Sequence, residues 1–244
     1  MLKSLKGGDK MSRDVIIALD FDSSEKALNF IDKFQEDEVY VKIGMELFYK
    51  AGPEIVREFK KRGHKIFLDL KLHDIPNTVK KATLSLMDLD VDMINYHITG
   101  GSKMLKEAIE AAKKVKPEII TLGITMLTST DEETMHNDIL IKDELTVADT
   151  VKKYAEIGKN SGLDGVVSSA LEVPEIKKVA GEDFLTVTPG IRLDQIKGDD
   201  QKRVVTPADA RMLGSDYIVV GRPITDAEDP VKAYREIKKM FIGE

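Results

Sequence analysis

The chain has 244 residues, of which 42% are hydrophobic, and this length is close to the roughly 250 residues of a single α/β barrel. Its net charge of -6 leaves no general basic surface for nucleic acid or anionic membranes, and no apolar run is long enough to span a bilayer. The length leads us to expect one domain, and the absence of cysteine, which excludes disulfides, thiolate catalysis and cysteine-ligated metals, fits a cytoplasmic protein.

The beginning of the chain differs from the rest. Residues 1–12 contain a Gly-Gly pair and a second methionine but show no hydrophobic periodicity. We interpret them as a disordered N-terminal extension or an expression remnant, and we place the folded domain at residues 13–244.

From residue 15 onward, short β-branched runs alternate with longer amphipathic segments. The runs predict strands at residues 15–19, 39–43, 66–70, 93–97, 119–124, 165–168, 184–188 and 217–220. The segments predict helices at residues 24–34, 46–61, 79–87, 103–115, 150–158, 172–179 and 207–213, and a last helix that ends near residue 241. Within residues 46–61, Pro53 is expected to start the main part of the helix. This alternation predicts a (β/α)8 barrel with parallel strands. A doubly wound open sheet is the alternative, but the chain lacks the G-x-G-x-x-G motif of dinucleotide-binding sheets.

Two connections, residues 125–149 and 190–205, are longer and more polar than the others. Long connections in a compact domain are usually functional. We therefore expect working loops or lids at these two places.

Residues 69–78 read DLKLHDIPNT and follow the third predicted strand. Because side chains alternate along a strand, Asp69 and Lys71 should point the same way, and Asp74 should lie in the loop that follows. Charged residues at strand ends are usually solvated, but here leucines occupy the opposite face. If Asp69 and Lys71 face inward they need partners, and Lys42 is a candidate.

The catalytic mouth of such a barrel lies at the carboxyl ends of its strands. Asp20, Lys42, Asp69 with Lys71, and His97 end the first four predicted strands. We expect these groups to converge on one pocket, except that His97 is better explained as a histidine hydrogen-bonded to the backbone. The other three histidines lack the spacing of metal ligands.

An anion-binding site is expected after the eighth strand. Gly221 and Arg222 can offer backbone N–H groups and a guanidinium to a phosphate, and barrels commonly bind phosphate in this region. Gln201 or Arg203, from the preceding polar loop, can fold over the bound phosphate.

These motifs resemble the orotidine 5'-phosphate decarboxylase family. The resemblance rests on DLKLHDIPNT, on ALD at 18–20, on VKIG at 41–44, on TPGIR at 188–192 and on VGRPI at 220–224, and it covers the whole barrel. The D-x-K-x-x-D part alone is shared with relatives that decarboxylate or condense sugar phosphates. Tyr96 departs from the family, in which valine more often precedes the histidine, but it puts no catalytic residue in doubt.

The resemblance implies loss of CO2 from orotidine 5'-phosphate to give UMP, the last step of pyrimidine synthesis, without metal or cofactor. Lys71 would stabilise the carbanion and protonate C6, and Asp69 would lie near the substrate carboxylate and keep Lys71 charged. Lys42 would complete a Lys-Asp-Lys-Asp array whose last member, Asp74, comes from the other subunit of a homodimer.

The same resemblance implies the substrate contacts. Asp20 and Lys42 would bind the ribose hydroxyls, and Thr128 would lie near the pyrimidine. The remaining residues implied are Asp69 and Ile75 at the substrate, Thr78 across the subunit interface, and Arg192, Gln201, Gly221 and Arg222 at the phosphate.

Three rival functions remain open. One is a metal-dependent sugar-phosphate decarboxylase or aldolase on the same barrel, with Glu46 beside Asp69 as a Mg²⁺ ligand. Another is a Schiff-base aldolase through Lys71, although two flanking carboxylates favour the ammonium over the neutral amine that this chemistry needs. The last is a phosphate-binding barrel without catalysis.

Overall fold

The computed structural model of the protein describes residues 13–34, 37–193 and 205–243. Within them, eight parallel strands form a closed barrel in chain order, and the last strand pairs with the first. The strands are β1 Asp14–Ala18, β2 Tyr40–Gly44, β3 Lys65–Leu72, β4 Met93–His97, β5 Ile120–Ile124, β6 Gly165–Val167, β7 Leu185–Thr188 and β8 Tyr217–Val220. The predicted single-domain (β/α)8 barrel is confirmed. The predicted extension at residues 1–12 lies outside the described residues, as do Gln201 and Arg203.

Helices surround the barrel and connect its strands. They are α1 Ser24–Ile31, α2 Met45–Ala51, α3 Glu54–Lys61, α4 Pro76–Met87, α5 Gly101–Val115, α6 Glu132–Asn137, α7 Val147–Asn160, α8 Val173–Ala180, α9 Pro207–Leu213, α10 Arg222–Thr225 and α11 Pro230–Ile242. Among the described residues, no helix has the length and apolar character that crossing a membrane requires.

Local backbone chemistry moves two helix boundaries away from the predictions. The helical segment predicted at residues 46–61 is two helices, because Gly52 has φ +70°, and Pro53, where its main part was predicted to start, is the N-cap of α3. The helix predicted from residue 150 starts earlier, since Thr146 and Asp149 form a capping box at the start of α7. The predicted loop at residues 125–149 also contains α6, whose N-cap is Asp131.

The interior of the barrel is filled by a separate apolar cluster that includes Ile16, Tyr40, Phe67, Met93, Leu122 and Tyr217. Side chains alternate along each strand, so the residue two positions further on faces the same interior one layer higher. This rule places Lys42 above Tyr40, Asp69 above Phe67 and Asn95 above Met93. Polar and charged groups therefore occupy the top layer, at the carboxyl mouth of the barrel.

The opposite mouth is held by a repeated arrangement around three aspartates. Each aspartate directly precedes an even-numbered strand. Its carboxylate accepts a hydrogen bond of 2.7 to 2.8 Å from a backbone N–H of the preceding odd-numbered strand. The same carboxylate pairs with a lysine of the helix that leads into this odd-numbered strand. The three sets are Asp92 with Ile66 and Lys60, Asp164 with Thr121 and Lys113, and Asp216 with Thr186 and Lys177. These ion pairs tie helices to strands far from the carboxyl mouth.

Candidate active site

The end of β3 departs from a regular strand at Lys71. Its φ is +51°, a left-handed conformation that is uncommon for residues other than glycine. The pairing of β3 with β4 also shifts between Leu68 and Leu72, as in a β-bulge. Simple alternation of side chains, from which the shared direction of Asp69 and Lys71 was predicted, therefore does not hold at Lys71. The two side chains nevertheless meet.

Four side chains of alternating charge form a continuous series across the mouth. Nζ of Lys71 lies 2.7 Å from Oδ1 of Asp69, and Nζ of Lys42 lies 3.6 Å from Oδ2 of the same carboxylate. Lys42 also pairs with Oδ1 of Asp20 at 3.0 Å. Each oxygen of Asp69 thus faces one ammonium group, and Lys42 is the partner that the sequence predicted.

Burial and charge act in opposite directions on this series. Burial raises the pKa of Asp69, but the charges of Lys42 and Lys71, with hydrogen bonds from Lys71 and Asn95, lower it more, so the pKa is below its ordinary value. Burial lowers the pKa of Lys42, whereas Asp69 and Asp20 raise it more, and the net change is upward. Asp69 and Lys42 are therefore both charged at neutral pH.

Asn95 is a site residue that the sequence pattern did not predict. Only 1% of it is exposed, and its amide Nδ2 donates to Oδ1 of Asp69 at 2.6 Å. Its Oδ1 accepts the backbone N–H of Lys71 at 2.8 Å. The available signal was a single amide inside the apolar strand β4, because a buried amide needs hydrogen-bond partners.

Two glycines leave room beside the charged series. A Cβ at Gly44 would lie 3.1 Å from Nζ of Lys42, and a Cβ at Gly221 would lie 3.8 Å from Oδ2 of Asp20. The expected phosphate-binding segment after β8 therefore borders the same mouth as the charged series.

The residues expected at the subunit interface, Asp74 and Thr78, lie on the outside of this protomer, as does the expected substrate contact Ile75. Asp74, Ile75 and Thr78 are exposed, and Ile75 is 67% exposed. Oδ1 of Asp74 accepts the backbone N–H of Ile75 at 2.6 Å, and among the described residues Asp74 forms no ion pair with Lys71. The protomer alone thus brings together three members of the predicted Lys-Asp-Lys-Asp array.

The remaining predicted ligands come from loops at the same end of the barrel. Thr128 follows β5, Arg192 follows β7, and Arg222 is the exposed first residue of α10 after β8. Arg192 is 8% exposed and donates from Nη1 to the carbonyl of Ile191 at 3.0 Å. Gln201 lies outside the described residues.

His97 packs against another histidine at the edge of the site. Its ring centroid is 5.4 Å from that of His73, and the expected hydrogen bond to the backbone is absent among the described residues. Burial, His73 and Lys71 lower the pKa of His97, while Asp69 opposes them, so the neutral imidazole dominates at pH 7.

The metal-dependent rival needs a group of ligands around Glu46 and Asp69. Glu46 is exposed in the first turn of α2. Within the described ranges, no three histidine, aspartate or glutamate side chains are grouped so that they could hold a metal ion. The geometry therefore does not favour this rival.

Comparisons with known proteins agree with the geometry. A family model described as "Orotidine 5'-phosphate decarboxylase / HUMPS family" matches residues 13–237. Orotidine 5'-phosphate decarboxylases of Bacillus cereus (strain G9842) and Bacillus cytotoxicus are each 53% identical over 237 residues, which cover 96% of this chain and 99% of theirs.

Two crystal structures are similar over nearly their whole length. One is an orotidine 5'-phosphate decarboxylase from Lactobacillus acidophilus, with a TM-score of 0.84 and 42% identity over 94% of this chain and 99% of that one. The other is an uncharacterized conserved protein from Geobacillus kaustophilus, with a TM-score of 0.83 and 42% identity over 93% of this chain and 99% of that one.

Proposed function

The chain belongs to the orotidine 5'-phosphate decarboxylase / HUMPS family, and from this premise we propose that it converts orotidine 5'-phosphate to UMP and CO2. The reaction is the last step of pyrimidine synthesis and makes the protein a carboxy-lyase. In this proposal the side chains of the protein carry the chemistry without metal or organic cofactor.

The observation that carries the proposal is the ammonium group of Lys71, held 2.7 Å from Asp69 at the carboxyl mouth. When the bond between C6 and the carboxylate breaks, CO2 leaves and an electron pair stays on C6. No carbonyl group delocalises that pair well, so an adjacent cation is the group that stabilises it. Lys71 then transfers a proton to C6, and its neutral amine regains a proton from water.

Asp69 has a double role in this mechanism. It fixes the positions of the ammonium groups of Lys42 and Lys71, because each lies opposite one of its oxygens. It also lies near the substrate carboxylate, whose charge it repels. The repulsion disappears when neutral CO2 forms, which favours the transition state over the bound substrate.

The rest of the mouth would bind the parts of the substrate that do not react. Asp20 and Lys42 contact the ribose hydroxyls, and Thr128 lies near the pyrimidine. Arg192, Gln201, Gly221 and Arg222 bind the phosphate. Binding energy from the phosphate can be used to close the loops and to exclude water from C6.

We propose further that the active enzyme is a homodimer. Asp74 of the partner subunit would complete the charged array, and Ile75 and Thr78 would also contact the substrate across the interface. The exposure of these three residues in the protomer supports this arrangement. The cytoplasmic location expected from the cysteine-free composition stays a prediction.

The experiment that tests the function follows the loss of orotate absorbance when the protein meets orotidine 5'-phosphate in excess EDTA. We expect turnover at an unchanged rate, with UMP and CO2 in equal amounts. Activity that disappears in EDTA and returns with Mg²⁺ would favour the sugar-phosphate rival. Covalent trapping of Lys71 by substrate and borohydride would favour the Schiff-base rival.

A further inference from the structure

The side-chain amide of Asn95, on β4, is hydrogen-bonded to two active-site residues at the end of β3, Asp69 and Lys71. One of its atoms donates to the carboxylate of Asp69 at 2.6 Å, and the other accepts the main-chain N–H of Lys71 at 2.8 Å. Asn95 is fully enclosed in β4, with 1% of its surface exposed. The hydrogen bond to Asp69 is buried and the one from Lys71 is partly buried, and a hydrogen bond is stronger where water is excluded.

The backbone geometry explains why Lys71 needs this partner. The left-handed conformation of Lys71 coincides with the irregularity between Leu68 and Leu72, where β3 loses its regular pairing with β4. A bulge leaves backbone groups without their usual partner in the neighbouring strand. The amide oxygen of Asn95 takes the place of that partner and compensates for an unfavourable conformation.

We propose that Asn95 is a positioning residue, which holds the backbone of Lys71 in its left-handed conformation and orients the carboxylate of Asp69, so that the ammonium group is aimed at the reacting carbon. The inference rests on the proposed decarboxylase function. Asn95 acts through Lys71 and Asp69 and needs no contact of its own with the substrate.

A purely structural role for Asn95 is the competing explanation, and the chain offers a matched control for it. On the helix-facing side of β4, the buried hydroxyl of Thr83 is hydrogen-bonded to that of Tyr96 at 3.2 Å. Thr83→Val removes a buried hydrogen bond next to the same strand without touching the charged series. The change in kcat of this variant therefore measures how much activity is lost when β4 is destabilised without a change in the charged series.

The test compares steady-state kinetics of the parent, Asn95→Ala and Thr83→Val with orotidine 5'-phosphate. Because two hydrogen bonds to a charged or strained group are lost, Asn95→Ala should lower kcat by about 30-fold to 100-fold and change KM by less than about threefold. Thr83→Val should keep kcat within about threefold of the parent. Equal losses in both variants, or an unchanged kcat in Asn95→Ala, would overturn the proposal.

The pH dependence of kcat in Asn95→Asp distinguishes a positioning role from a purely structural role. The introduced carboxyl can still accept the N–H of Lys71. It can donate to Asp69 only when it is protonated, because an ionised carboxylate has no donor. The charged groups around it are Asp69, Lys42 and Lys71, with His97 two residues further along β4. We expect kcat of this variant, relative to the parent, to rise about tenfold as the pH is lowered from 8 to 6. A ratio that is independent of pH would contradict the proposal.

A separate measurement distinguishes failure of this inference from failure of the proposed function. If the parent does not turn over orotidine 5'-phosphate, the proposed function is wrong. Hydrogen exchange of the backbone amide of Lys71 then still tests whether Asn95 holds this backbone in place. Exchange should accelerate by at least about tenfold in Asn95→Ala and stay unchanged in Thr83→Val. Equal protection of the Lys71 amide in all three proteins would overturn the role of Asn95.

Discussion

Asp69 and Lys71 form an ion pair of 2.7 Å between Oδ1 and Nζ, although the left-handed backbone of Lys71 interrupts the strand that carries both. In an ordinary strand, side chains two residues apart point to the same face. Here three features restrict the carboxylate of Asp69: the unusual backbone of Lys71, the ammonium group of Lys42 and the side-chain amide of Asn95. Asp69 is therefore the centre of the site, and we expect its ionisation to affect the stability of the protein as well as its activity.

The stability of the protein should depend on ionisation of Asp69. Burial raises the pKa of its carboxyl, but Lys42 and Lys71 lower it more, so its pKa in the folded protein is below that in the unfolded chain. Its contribution is fully present above about pH 4 and is lost as the pH falls through the folded-state pKa. Urea unfolding should show that Asp69→Asn lowers the free energy of unfolding most near neutral pH and progressively less below pH 4.

Glu175→Gln is the matched control for this effect. Glu175 is an exposed carboxylate that pairs with Lys178, and such pairs contribute little to stability. The hydrogen bond from Lys178 lowers the pKa of Glu175 as well, but solvent screens the pair at this exposed site, so we expect this variant to unfold like the parent at every pH. A difference between the parent and Asp69→Asn that is constant across the pH range would contradict the assigned ionisation.

Arg222 should act on the phosphate and leave the fold unchanged. It is exposed at the start of α10, so Arg222→Ala removes no buried packing. Loss of a charge-assisted contact should lower kcat/KM for orotidine 5'-phosphate by about 10-fold to 100-fold. Orotidine without its phosphate should react equally with both proteins. Arg235→Ala, which breaks an exposed pair with Asp37, serves as the control and should leave kcat/KM unchanged.

Mixed dimers test whether Asp74 acts across the interface. Lys71→Ala and Asp74→Ala should each be nearly inactive alone. In a dimer of one with the other, one of the two sites contains both intact residues, provided that each site takes Asp74 from the partner subunit. After unfolding and refolding as an equal mixture, about a quarter of the parental activity should return. No recovery, with mixed dimers present by mass, would place Asp74 in the site of its own protomer.

The opposite mouth of the barrel should control stability without affecting catalysis. Lys177 is 7% exposed and pairs with Asp216 at 2.7 Å. Asp216→Asn leaves this buried ammonium without its charge partner and should lower the free energy of unfolding by about 3 kcal/mol. In the exposed control Asp226→Asn the change should stay within about 0.5 kcal/mol. Urea unfolding measures both, and kcat/KM should be unchanged. Equal stabilities of the two variants would contradict the assigned role of the ion pair.

Most of the fold could be predicted because buried strands and amphipathic helices have distinct patterns. The predictions for β4, α9 and β8 match the observed bounds, since short apolar runs and a proline at the first helical turn define them. The start of α3 at Pro53 was predicted, but the full break at Gly52 and the small helix α6 were not, because they depend on a glycine conformation and on a side-chain cap within polar segments.

The candidate site was predictable only in part. Asp20, Lys42, Asp69 and Lys71 were identified because a barrel gathers its strand ends at one mouth. The left-handed backbone of Lys71 was not, since local sequence gives no reason for a lysine to adopt it. The role of Asn95 depends on that backbone, so it too became visible only when β3 and β4 lay side by side.

The proposed mechanism requires that Lys71 supply the cation and the proton at C6. The rate of UMP formation by Lys71→Ala, beside the exposed control Lys80→Ala and with both in EDTA, tests this requirement. We predict that Lys80→Ala matches the parent, whereas Lys71→Ala keeps its fold but loses at least about 10³-fold in kcat. If folded Lys71→Ala still forms UMP at a rate near that of the parent, the mechanism proposed for this site is wrong.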